Sequence, residues 1–131
     1  MATTVTTTAQ NLEMTFRGET AEVGLYLAMA KKAELEGYPE VALYMRQVAM
    51  EEAWHAAEVA GIAGMISDTK SNLEKLVKGE TGAYGGKSQA SQVAHKEGKN
   101  QAAEFFARAA DDENRHRAGF QSMLTRLSVT K

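Results

Sequence analysis

Residues Glu52-Ala53-Trp54-His55 and, 61 positions later, Glu113-Asn114-Arg115-His116 decide how this 131-residue chain is read. In each stretch a carboxylate and an imidazole stand three residues apart, so on an α-helix both project from one face. The pairing is part of a longer pattern. The same shift of 61 aligns Asn11-Leu12-Glu13 with Asn72-Leu73-Glu74, and Gly18-Glu19-Thr20 with Gly79-Glu80-Thr81. It also aligns Gly24 with Gly85, Ala33 with Ala94, Glu36-Gly37 with Glu97-Gly98, Ala42 with Ala103 and Ala49 with Ala110. A single ungapped register covers nearly the whole chain, so the chain is two copies of one unit.

Each copy reads as a helical hairpin. Ala, Leu, Met, Glu, Lys and Gln dominate the long segments, which favours helix. Val41, Tyr44, Met45, Val48, Trp54 and Ile62 recur at three- and four-residue steps, as on an amphipathic helix. Gly37 followed by Tyr38-Pro39 is a helix stop and restart, and Gly98 stops the corresponding helix of the second copy. Ser67-Asp68-Thr69 offers capping oxygens for a third helix. The expectation is four helices near 8–36, 39–66, 69–97 and 100–127, forming one all-α domain over 1–131 from hairpin repeats 8–66 and 67–127. Gly82, Gly85 and Gly86 weaken the third helix and point to a close helix contact or a local irregularity there. Trp54, Met14, Met29, Met45, Met50, Met65 and Met123 read as core or interface filling.

Composition narrows the function. With 15 Lys plus Arg against 17 Asp plus Glu and no basic run, a nucleic-acid partner is not expected. The absence of cysteine removes disulfides, thiolate zinc sites, iron–sulfur clusters and cysteine nucleophiles. No apolar stretch reaches membrane-spanning length, and the Thr-rich start has neither the charge nor the apolar block of a targeting segment. A cytoplasmic protein with no membrane partner is expected.

The recurring polar residues carry the chemistry. If the chain turns near Gly37, Glu19 lies opposite the Glu52–His55 stretch, and the same counting around Gly98 sets Glu80 opposite Glu113–His116. One Glu from each of two helices, with Glu-x-x-His from each of two others, is the four-helix-bundle pattern of a carboxylate-bridged dinuclear metal site. A lone Glu-x-x-His is usually a surface pair; its repetition at one offset, with a repeated partner Glu, favours ligands. Four carboxylates and two imidazoles suit iron or manganese without excluding zinc.

Through Gly18-Glu19, Glu36-Gly37, Glu52-x-x-His55, Gly79-Glu80, Glu97-Gly98 and Glu113-x-x-His116, residues 8–127 resemble the rubrerythrins of the ferritin-like superfamily. The resemblance implies a ferritin-like four-helix bundle holding two iron ions and reducing hydrogen peroxide to water. It implies Glu52 with His55 on one metal, Glu113 with His116 on the other, and Glu19 and Glu80 completing or bridging the pair. Glu36 and Glu97 resemble the family's helix-end Glu-Gly and read as capping. Rival readings are an oxygen-dependent ferroxidase, an iron store or handling protein, and a structural bundle carrying zinc.

Three departures from the family matter. Typical rubrerythrins add a cysteine-bearing rubredoxin domain; without one, electrons are expected from a separate donor such as a rubredoxin-like protein. The family's seventh carboxylate, three residues past the third-helix ligand, is Ala83 here, whereas the first repeat has Glu22 three past Glu19. By the pseudo-twofold relation Glu22 is expected to serve the metal near His116, exchanging with that imidazole on redox change; otherwise it is a surface glutamate. Tyr26 stands seven after Glu19, as in the family, but the second copy has Lys87 there. Glu22 and Tyr26 are the expected catalytic residues, moving protons or repositioning metal, although Tyr26 also reads as a plain core tyrosine.

The join between hairpins bears on assembly. Family topology needs the second and third helices to run the same way. Five residues, 66–70, reach at most about 17 Å at about 3.4 Å each, against about 40 Å for a 27-residue helix. One chain cannot make that crossover, so the expectation is a homodimer with exchanged hairpins, the alternative being an up-down-up-down monomer.

Overall fold

The computed structural model describes residues 6–129 and holds four α-helices, with no strand among the described residues. They are α1 (Thr8–Leu35), α2 (Pro39–Ile62), α3 (Thr69–Lys96) and α4 (Asn100–Val129). The chain divides into two compact units after Ile66, one holding α1 and α2 and the other α3 and α4. That division falls between the two sequence repeats.

Local chemistry places the helix ends. Thr7 caps α1 in a reciprocal box with Gln10, and Asp68 caps α3 by accepting a hydrogen bond from Ser71 N at 3.0 Å. Pro39 opens α2, where its missing N–H has no intrahelical partner to lose. Both interhelical turns close identically. Beyond the caps Glu36 and Glu97, Gly37 and Gly98 take φ of +86° and +71°; Tyr38 N then donates to Ala33 O and Lys99 N to Ala94 O.

The sequence reading set the end of α2 four residues too late. Gly64, with φ of +69°, lets Met65 N donate back to Ala60 O, and this closure stops the helix at Ile62. Nor do the three α3 glycines break their helix. It runs unbroken from Thr69 to Lys96, and a Cβ added at Gly82, Gly85 or Gly86 would meet nothing within 4 Å.

Within each hairpin the shared strip is alanine. Among the described residues Ala30, Ala33, Ala42, Ala49, Ala56 and Ala60 are buried in the first hairpin, and Ala94, Ala103 and Ala110 in the second. Methyl-sized side chains let two helix backbones approach closely, although each contributes only about 0.8 kcal/mol. Polar ties cross the same strips: Arg46 to Glu34 at 2.6 Å, and Ser91 Oγ to Ala103 O at 2.9 Å.

Of the core-or-interface reading of the large apolar residues, the core half is not met within the hairpins. Trp54 is 71% exposed, and Met14, Met29, Met50, Met65 and Met123 are exposed with it; among the described methionines Met45 packs against the buried cluster. Two helices share a single strip, and the rest of an amphipathic face finds no cover inside its own hairpin.

Candidate metal centre

In the first hairpin, α1 and α2 bring Glu19, Glu52 and His55 together, each offering one ligand atom within 4.8 Å of the others. His55 Nδ1 lies 2.9 Å from Glu52 Oε2 and 3.7 Å from Glu19 Oε2. The second hairpin repeats the arrangement with Glu80, Glu113 and His116. There His116 Nδ1 lies 3.3 Å from Glu113 Oε2 and 3.8 Å from Glu80 Oε2. The repetition follows from the fold: Glu19 and Glu80 stand 18 residues before Gly37 and Gly98, and Glu52 and Glu113 stand 15 after them, so equivalent glycine turns set each Glu-x-x-His opposite its partner Glu.

The four carboxylates sit low in these clefts, between 17% and 20% exposed, while the imidazoles are about half exposed. Two acids forced together at one cleft cannot both ionise comfortably. Hydrogen bonding with Glu52, then burial, raises the Glu19 carboxyl above its ordinary value, whereas Glu52 is lowered by Glu19 and His55. The second triad does likewise: Glu113 raises Glu80, and Glu113 itself falls to about 2 through Glu80, Lys87 and His116. His55 is raised, first by its bond to Glu52.

These donors fit a divalent cation on their own chemistry. Glu19 Oε2 is out of solvent yet has no hydrogen-bond partner, an arrangement that costs free energy unless something positive faces it. A cation would satisfy that oxygen and remove the reason for a carboxyl pair to retain a proton. Oxygen and imidazole donors suit iron, manganese or zinc.

Glu22 and Tyr26 are half-buried beside the first triad. The Tyr26 hydroxyl is raised by burial first, then by the negative charge of Glu22 and Glu52. The second hairpin carries Ala83 and Lys87 instead. Lys87 Nζ pairs with Glu113 Oε1 at 2.6 Å, a contact the sequence reading did not foresee. The signal was present: seven residues past Glu80, Lys87 is two turns along the same face of α3.

Helical hairpins that each set a Glu against a Glu-x-x-His, two to a chain, define a ferritin-like all-α protein with a di-metal carboxylate–histidine donor set. The sequence model of the Rubrerythrin family matches residues 10–124. The chain belongs to the rubrerythrin family. It is 43% identical to an uncharacterized protein of Methanocaldococcus jannaschii over 118 residues, 89% of this chain and 84% of that one. It is 40% identical to reverse rubrerythrin-1 of Clostridium acetobutylicum over 119 residues, 89% of this chain and 66% of that longer protein. No helix among the described residues is long and apolar enough to cross a membrane.

Proposed function

We propose that the two triads hold a pair of iron ions and that the protein is a peroxidase, reducing hydrogen peroxide to water with electrons from a separate donor. The observation that carries this reading is the duplicated Glu, Glu-x-x-His cluster, its carboxylates half-buried and Glu19 Oε2 without a hydrogen-bond partner, in a chain of the rubrerythrin family. Iron bound there would supply the two electrons that, with two protons, turn one peroxide into two waters. The protein's part is to neutralise the cations with Glu19, Glu52, Glu80 and Glu113, orient them through His55 and His116, and handle protons. Tyr26 and Glu22 are the groups in reach of the first triad that can carry a proton, and Glu22 is a candidate seventh ligand.

Assembly belongs to the same proposal. The connection from Ala63 to Asp68 spans at most about 20 Å, against about 42 Å for a helix as long as α3. Exchange of hairpins between two chains meets the family topology, and the exposed apolar faces of each hairpin supply surface for it.

The test is anaerobic reduction of the iron-loaded protein, followed by rapid mixing with peroxide and, separately, with oxygen. Fast reoxidation by peroxide alone supports the peroxidase; fast reaction with oxygen alone replaces it with a ferroxidase. Light scattering at micromolar concentration gives a dimer if hairpins exchange, and a monomer removes that part.

A further inference from the structure

The two triads are alike in their ligand types but not in what surrounds them. On the first, position 26 is a tyrosine and position 22 a glutamate; at the positions 61 later stand Lys87 and Ala83. Both differences act in one direction. The first hairpin gathers the carboxylates of Glu19 and Glu52 around His55, with Glu22 beside Glu19 and Tyr26. Among the described residues the second gathers the carboxylates of Glu80 and Glu113 around His116, and adds an ammonium.

The ammonium is specifically placed. Lys87 Nζ lies 2.6 Å from Glu113 Oε1, with Lys87 31% and Glu113 17% exposed, so this pair is more sheltered than an ordinary surface bridge. Its partner oxygen, Glu113 Oε2, faces His116 Nδ1 at 3.3 Å. One carboxylate oxygen of Glu113 is therefore taken by Lys87 and one remains toward the triad. At the equivalent Glu52 no lysine among the described residues is paired: Oε2 faces His55, and the residue at Lys87's place is the neutral Tyr26.

We propose that Lys87 is a positioning residue that makes the two metal positions unequal. It holds Glu113 so that a single oxygen is offered to a cation, and it sets a fixed positive charge beside the Glu80–Glu113–His116 position. The Glu19–Glu52–His55 position fills first and holds its ion tightly; the other fills second and releases its ion first. This inference rests on the triads being metal sites.

Cobalt(II) titration of the metal-free full-length protein, followed anaerobically by calorimetry and by the visible cobalt bands, tests it at one fixed pH. Wild type is expected to bind two cobalt ions per pair of triads with well-separated constants. Lys87→Met keeps the apolar stem and removes the charge; the weaker constant is expected to tighten by at least about tenfold while the stronger stays put. Lys87→Arg keeps the charge and is expected to restore the wild-type separation. Circular dichroism of each metal-free variant reports whether it folds, and Lys87→Gln, which also removes the charge, takes the place of Lys87→Met if that variant does not fold, with the same tightening expected. If Lys87→Met leaves both constants where they were, shifts both equally, or is matched by Lys87→Arg, the role of Lys87 is overturned while the metal sites stand. If wild type takes up no cobalt, the metal reading falls and this inference with it.

Discussion

Glu19 on α1 reaches across to within 3.7 Å of His55 on α2, yet its Oε2 makes no hydrogen bond. A sheltered carboxylate oxygen so close to an imidazole and without a donor is arranged for a third party. Removing the charge tests this directly. Glu19→Gln or Glu80→Gln is expected to weaken metal binding by more than the roughly 10–100-fold typical of residues one step removed from a metal. Metal content after dialysis, measured by elemental analysis, checks it; retention at the wild-type level would exclude that glutamate as a ligand.

The pH dependence of the metal-free chain has a definite sign. Glu19 and Glu80 are raised above 4.5, so the folded chain holds protons there that the unfolded chain has released, and stability falls as pH climbs from 4.5 through the raised values. His55 is raised above 6.5, so its contribution is complete below 6.5 and is lost as pH rises through its folded value. Glu52 and Glu113, both lowered, add stability that is lost only on acidification below the ordinary glutamate range. From pH 4.5 upward through the raised Glu19, Glu80 and His55 values the net slope is downward. Thermal unfolding of chelator-treated protein is expected to give a lower midpoint at the alkaline end. Added metal is expected to raise the midpoint most at that end, because cations bind the deprotonated ligands.

The two interhelical turns depend on left-handed glycine. Replacing Gly37 or Gly98 by alanine puts a Cβ at φ of +86° or +71° and is expected to cost about 1–2 kcal/mol each. Open space around both glycines means the cost is conformational, not a clash. Denaturant unfolding of the metal-free variants measures it; no change in stability would mean the turns adopt another form.

Tyr26 separates chemistry from metal holding, whereas Glu22 touches both. Tyr26→Phe is expected to leave cobalt uptake within a few-fold of wild type, Glu22→Ala to weaken it, and both to slow peroxide-driven reoxidation by at least about 10-fold, the lower reach of a lost proton-transfer group. Rapid-mixing absorbance after anaerobic reduction checks both. Unchanged rates would return both residues to a packing role.

Much of the molecule was legible in one dimension. A shared helix face is set by three-residue spacing, a helix end by a glycine that alone accepts positive φ, and the two-unit plan by a constant offset. The grouping of Glu19 with Glu52 and His55 was expected on that basis, and the caps Glu36 and Glu97 from the family resemblance. The end of α2 was less legible, because 61–64 contains two glycines and only the backbone shows that Gly64 is the one that turns.

Only the tertiary structure decided which side of each amphipathic helix its hairpin covers. Periodicity marks an apolar stripe but not its cover; two helices in contact bury one narrow strip, here of alanines, and leave Trp54 and most methionines outside it. It also decided what Lys87 does. A lysine has four rotatable carbons and many places to put its charge; the nearness of Glu113 across α3 and α4 selects one. The sequence alone, through local geometry repeated along the chain, determined the helices and which carboxylates and imidazoles share a face. The packing of one helix on another determined which charges and surfaces meet.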